Sequence, residues 1–275
     1  MAALAPNVAA VYRQRLRLEG QLFLTISQSG VSDDLVETAI MARAAGALTT
    51  ALVNDPGSPL ALACEFVLPM AAGPELSVAA TKTFVASLAA LLRMSAVWMK
   101  DDALLRCCDR LPDRIAQAGE LDWRGSLAAL AGASDLAAIG RGPTLAVARE
   151  AALKLKETCA VHAEAFSSAE FRHGPIALVS PAYPVVMFAA DDESAAGICD
   201  LADELGRKGA QVLFAGPGLL NNERAYRLPV LAPEQADADA ICLIQAFYAF
   251  LVCLARLRGT DVDAPRHLQK ITRTR

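Results

Sequence analysis

Gln21-Leu22-Phe23-Leu24-Thr25-Ile26 is an apolar run that passes directly into Ser27-Gln28-Ser29-Gly30-Val31-Ser32, and helical periodicity follows over residues 33–45. A buried strand, a turn of small polar residues and a helix make the start of a βαβ unit. The same alternation recurs along the chain. Apolar runs at 48–53, 66–70, 136–139, 184–189 and 211–215 are interleaved with helical patterns at 144–158 and 194–208. Near-continuous apolar strands of this kind fit parallel sheets covered on both faces, so the fold class is α/β. Laying Leu22-Phe23-Leu24-Thr25 on Val185-Val186-Met187-Phe188 also brings Gly46 onto Gly209 and Val53 onto Gly216. The chain is therefore read as a degenerate duplication. In the second copy a further strand and helix (136–157) precede the matched strand, and the first copy is expected to lack this opening strand and its loop. Residues 78–117 read as one or two long helices. The boundary is expected near 119–125, dividing the chain into subdomains 1–118 and 119–275.

Composition bounds the function. The 275 residues are 54% hydrophobic with a formal net charge of -4, enough for a sizeable core and without the dense basic block that a phosphate backbone requires. The basic tail, Arg266, Lys270, Arg273 and Arg275, is too short to change this, so no nucleic-acid partner is expected. Seven cysteines without CxxC or metal-ligand spacing read as reduced thiols of a cytoplasmic protein. The N-terminus has no charged segment leading into a long apolar stretch, as a signal peptide would. Residues 240–255 are apolar, but they are short for a span, interrupted by Gln245 and Tyr248, and bounded by Asp239 and Arg256. They read as a buried helix, and no membrane partner is expected.

Two regions carry candidate chemistry. Ser27, Gln28, Ser29 and Ser32 cluster at the carboxyl end of a strand and the start of a helix, where backbone N–H groups attract a phosphate. The matching stretch of the second copy, Ala190 to Ser194, holds three acids that would repel one. Capped turns and dipole-complementing acids such as Asp33 and Asp34 explain the same residues without a ligand. The second region, 154–175, concentrates two of the three histidines. Lys154 and Glu157 lie three apart on one helix face, and His173 sits in a loop before Gly174 and Pro175. Glu157 could serve as a proton-abstracting base with Lys154 beside it; Glu150, Lys154 and Glu157 also spell a plain salt-bridge ladder. Lys270, in the irregular tail after Pro265, could form an imine with a carbonyl if held in a dry pocket.

Taken together, Ser27-Gln28-Ser29-Gly30, Ala80-Thr81-Lys82-Thr83-Phe84, Lys154-Leu155-Lys156-Glu157, His162-Ala163-Glu164-Ala165, His173-Gly174-Pro175 and Gly259-Thr260-Asp261-Val262-Asp263 resemble the sugar isomerase (SIS) domain family. The likeness is to the isomerase half of glutamine:fructose-6-phosphate aminotransferase and to stand-alone SIS-type glucosamine-6-phosphate deaminases. The resemblance implies two SIS subdomains, each a parallel sheet flanked by helices, in a cytoplasmic homodimer with a shared active site. It implies that Ser27, Gln28, Ser29 and Ser32 hold a sugar phosphate, with Val78 near the sugar. Glu157 would move a proton between C1 and C2 with Lys154 beside it, His173 of the partner subunit would open the ring, and Lys270 would form an imine with the ketose. No metal or organic cofactor is implied. Ser32 stands where threonine is usual and keeps the hydroxyl; Gln269 replaces a small residue before the lysine. The family's first strand and Gly-Thr-Ser-type loop are expected upstream of residue 1, so the first subdomain reads as N-terminally truncated. With no glutaminase half in the sequence, the implied reaction interconverts glucosamine 6-phosphate with fructose 6-phosphate and free ammonia. A non-catalytic sugar-phosphate sensor and an aminotransferase subunit served by a separate glutaminase are the alternatives.

Overall fold

The computed structural model describes residues 2–14 and 16–270. Its first elements are α1 (Asn7–Ala10), β1 (Leu22–Ser27), α2 (Asp33–Ala44), β2 (Leu48–Val53), α3 (Pro59–Ala63), β3 (Phe66–Pro69), α4 (Lys82–Met99) and α5 (Asp102–Gly119). There follow α6 (Leu127–Ala131), β4 (Asp135–Gly140), α7 (Pro143–Cys159), β5 (His162–Ser167), α8 (Ser168–Arg172), β6 (Pro184–Phe188), α9 (Ala195–Arg207), β7 (Gln211–Ala215), β8 (Tyr226–Leu228) and α10 (Ala236–Leu257). Among the described residues two compact units result: those up to Ala90 with Gln269 and Lys270, and residues 91–268. The division falls inside α4, whereas the boundary expected from the repeat lies after α5. The 78–117 region is two helices, separated at Lys100, whose φ of +55° breaks the ladder, and restarted by Asp101, which accepts from the N–H groups of Ala103 and Leu104.

In the first unit the sheet has the order β1-β2-β3, all parallel. The central β2 is buried from Thr49 to Val53, as a strand covered on both faces must be. Ala39, Ala51, Val53, Leu60 and Ala61 form its core; the small side chains let α2 and α3 lie close to the sheet.

In the second unit five parallel strands run β5-β4-β6-β7-β8. Ile139, Phe171, Val185, Met187, Ile198, Leu201 and Phe214 are buried on one side. On α10, Phe247 stands edge-on to Phe188 with ring centroids 5.9 Å apart. Both α10 and α4 are long and apolar enough to cross a membrane by length and composition. Most of α10 is buried, packed on α7 and α5, as expected of a core helix.

The duplication is visible in the elements. A constant offset of 163 residues carries Leu22 to Val185, Gly46 to Gly209 and Val53 to Gly216, and so lays β1-α2-β2 on β6-α9-β7. Gly46 and Gly209 end their helices with φ of +86° and +88°, a left-handed turn that glycine adopts without strain. Among the described residues the first sheet has no counterpart of β4 and β5. No apolar run in the sequence marks β5 or β8. β5 alternates exposed His162, buried Ala163 and exposed Glu164, the pattern of an edge strand too short and polar to register as an apolar run.

Candidate active site

In the first unit, β1 delivers Ser27 to the carboxyl edge of the sheet. Ser27 Oγ accepts from the Gly30 N–H at 3.1 Å, and Ser29 Oγ from the Val31 N–H at 3.4 Å, so the hydroxyls shape the turn from within. Gly30 has a φ of +65°, and a Cβ there would stand 2.1 Å from the buried Ser58 Oγ. Its carbonyl accepts from the Leu60 N–H, which ties the loop to α3. Ser32 occupies the N-cap of α2 through its backbone, and its side chain makes no capping bond. The hydroxyl thus stands at a helix start without serving the helix. Ser27, Gln28, Ser29 and Ser32 are all half-buried, consistent with a cradle that a ligand could complete.

Lys270 belongs to the same unit. Its Nζ donates to the Ser77 carbonyl, next to Val78. The irregular 70–81 segment is held by Glu75, whose carboxylate accepts from the Thr83 N–H at 2.9 Å, the Thr83 hydroxyl and the Thr81 N–H at 3.4 Å. Burial pushes this carboxyl up, but the Thr83 and Thr81 donors and the Lys270 charge outweigh it, and its pKa lies below the ordinary 4.5.

In the second unit the β4–α7 turn is tight because Gly140 has no side chain: a Cβ would meet the Thr144 carbonyl oxygen at 2.2 Å. Pro143 opens α7 at its first turn, where its missing N–H costs nothing. Lys154 on this helix is buried, and its Nζ lies 2.5 Å from Glu157 Oε2 and 3.6 Å from Glu150 Oε1. Tyr248 of α10 donates its hydroxyl to Glu150 at 2.7 Å. Burial raises the Glu150 pKa above the ordinary 4.5 against the opposing pull of Lys154 and Tyr248. Glu157 is the member that reaches a cavity of about 710 Å³, walled by the end of α7 and residues 259–267, including Thr158, Asp261, Arg266 and His267. Arg258 braces this end of α7, donating to the carbonyls of Cys159, Leu130 and Ala131.

His173 caps the end of α8, is exposed, and follows the fully buried Phe171. No hydrogen bond or ion pair joins it to Lys154 or Glu157 among the described residues. The expected set is thus assembled as two groups: the serine loop, Val78 and Lys270 in one unit, and Lys154 with Glu157 in the other. The seven cysteines are unpaired, and burial raises the thiol pKa of Cys64, Cys107, Cys108, Cys159 and Cys199, and that of Cys242 to about 11. These are poor nucleophiles.

A sequence profile of the SIS domain matches residues 7–95 and 129–214, the segments running from α1 into α4 and from α6 into β7. The chain belongs to the SIS domain family. Each SIS segment holds one of the two strand–helix–strand stretches related by the 163-residue offset, β1-α2-β2 in the first and β6-α9 leading into β7 in the second. It is 36% identical over 278 aligned residues to a glutamine–fructose-6-phosphate aminotransferase (isomerizing) of Symbiobacterium thermophilum, covering 94% of this chain and 45% of that protein. The chain spans a little under half the length of the curated relatives it matches. Among solved structures, a protein of Silicibacter pomeroyi designated a phosphosugar isomerase superposes with a TM-score of 0.89 at 44% identity, covering 95% of this chain and 79% of that one. The C-terminal domain of glucosamine-fructose-6-phosphate aminotransferase from Francisella tularensis gives 0.82 at 27% identity, covering 92% and 76%. Within this SIS fold, nothing local in the sequence marks Tyr248, Glu75 or the role of 259–267 as a cavity wall. Tyr248 registered only as an interruption of an apolar helix, and nothing local tied Glu75 to Lys270.

Proposed function

We propose that this SIS protein is an amino-sugar phosphate isomerase and deaminase that interconverts glucosamine 6-phosphate with fructose 6-phosphate and ammonia. The observation that carries the reading is the Glu157 carboxylate, ion-paired to a buried lysine and set in a cavity wall. That is a base with a fixed orientation and access to a ligand. Residues 1–118 and 119–275 are, in this reading, the two subdomains of a homodimeric enzyme of the cytoplasm.

Ser27, Gln28, Ser29 and Ser32 receive the 6-phosphate, and Val78 flanks the sugar. His173 of the partner subunit transfers the proton that opens the ring to the C1 aldehyde. Glu157 takes the proton from C2 of the aldose and returns it to C1, with Lys154 holding the carboxylate in place, which leaves an imine at C2. The Lys270 amine adds to C2 and the C2–nitrogen bond to the amino group breaks, releasing ammonia. Water then hydrolyses the lysine imine to fructose 6-phosphate and free Lys270, so one water is consumed for each ammonia released.

Ammonia release from glucosamine 6-phosphate tests the reading. Wild-type protein is expected to turn over, Lys270→Ala to release none, and Glu157→Gln to lose about 100-fold or more in kcat. Absence of release by the wild type, or full release by Lys270→Ala, overturns it. The 36% identity to an aminotransferase favours one second reading, an isomerising synthetic part supplied with ammonia by a glutaminase. In that case glutamine with an added glutaminase supports synthesis from fructose 6-phosphate.

A further inference from the structure

Behind Glu157 the polar chain runs on into the core of the second unit. Lys154 Nζ contacts Glu157 Oε2 at 2.5 Å and lies 3.6 Å from Glu150 Oε1, and that same Glu150 oxygen accepts the Tyr248 hydroxyl at 2.7 Å. The Glu150 and Lys154 side chains are only 7% and 5% exposed. Two carboxylates for one ammonium are more than packing requires: apolar residues of similar volume at buried ion pairs are commonly as stable or more so. Tyr248 stands on α10 beside the buried apolar Ile244, Phe247 and Leu251, where a phenylalanine would fill the same space.

The excess charge has a use when a proton moves. With Glu157 ionised, the group carries two negative charges and one positive. Once Glu157 has taken a proton from substrate, Lys154 keeps a counter-charge only because Glu150 is there. Without Glu150, each proton transfer would leave a buried, unpaired ammonium, which opposes the transfer at short range and low dielectric.

We propose that Glu150 and Tyr248 are positioning residues for the proton transfer: Glu150 balances Lys154 whenever Glu157 is protonated, and Tyr248 keeps Glu150 ionised and aimed at Lys154. This inference rests on the reading of Glu157 as the base. The charged or titratable groups facing Glu150 are Lys154 and Glu157 on α7 and Tyr248 on α10.

The test is exchange of deuterium out of C2 of glucosamine 6-phosphate, counted whether it is carried to C1 or lost to solvent and followed across pH, which reads the Glu157 step directly. Glu150→Gln is expected to lower the exchange kcat about tenfold or more at every pH, with KM changed less than twofold. Tyr248→Phe removes the hydroxyl that donates to Glu150, so Glu150 takes its proton at higher pH. This variant is expected to match the wild type at alkaline pH and to lose activity earlier as pH falls, moving the acid limb up. A role confined to folding would lower thermal stability and leave the limb where it is. A Tyr248→Phe profile superimposable on the wild type overturns the inference while the base survives, and it decides the matter even if Glu150→Gln does not fold. Absence of exchange in the wild type removes the Glu157 reading and this inference with it.

Discussion

Gly30 shows how one missing side chain holds a loop. Its φ of +65° and the 2.1 Å approach that a Cβ would make to Ser58 Oγ are independent obstacles, and the backbone alone costs a non-glycine residue about 1–3 kcal/mol. Gly30→Ala is expected to destabilise the first unit by at least that much and to abolish thermal protection by fructose 6-phosphate, measured by melting with and without the sugar. Ser58→Gly should partly rescue it by vacating the space. The glycine itself is legible in the sequence as part of a Ser-rich turn; Ser58 as its reason is not. Glu75 supplies a pH dependence. Its folded pKa is lowered, so its contribution to stability is present above its ordinary value near 4.5 and is lost as pH falls through the folded value. Glu75→Gln should therefore be less stable than the wild type in urea at pH 7, with the gap closing as the pH is lowered below 4. A constant gap would show that the carboxylate charge does not matter.

At the level of elements, α7 carries the candidate base and ends under strain. Ala160 adopts the left-handed conformation with φ of +52°, a place where glycine is preferred because it has no Cβ to clash. Ala160→Gly is expected to stabilise by about 0.5–1 kcal/mol in chemical denaturation. Helices α2, α7 and α9 are legible because their periodicity and end signals are local. β5 is not, because an edge strand alternates faces and carries His162 and Glu164 outward, leaving no apolar run to recognise. The 259–267 segment is legible as an irregular tail that opens on a motif, but where it packs is not. Its placement against the end of α7 follows from Arg258 reaching the carbonyls of α6 and α7, a contact that no local pattern encodes.

Over the whole molecule, α10 is the piece that turns separate elements into a unit. Phe247 is fully buried against Phe188 and Phe250, and Phe247→Ala is expected to cost about 3–5 kcal/mol, read from the denaturation midpoint. Loss of much less would mean that the sheet and α10 are not one cooperative core. The sequence by itself determined the α/β class, the duplication with its paired glycines, and the residue types of the candidate site, because strand and helix periods, turn glycines and motif spacing are properties of neighbouring residues. Only the tertiary structure decided that Lys270 meets Ser77 across 193 positions and that Tyr248 meets Glu150 across 98. Such pairings depend on how helices and chain ends pack on a finished sheet, and nothing within a few residues of either partner prescribes them.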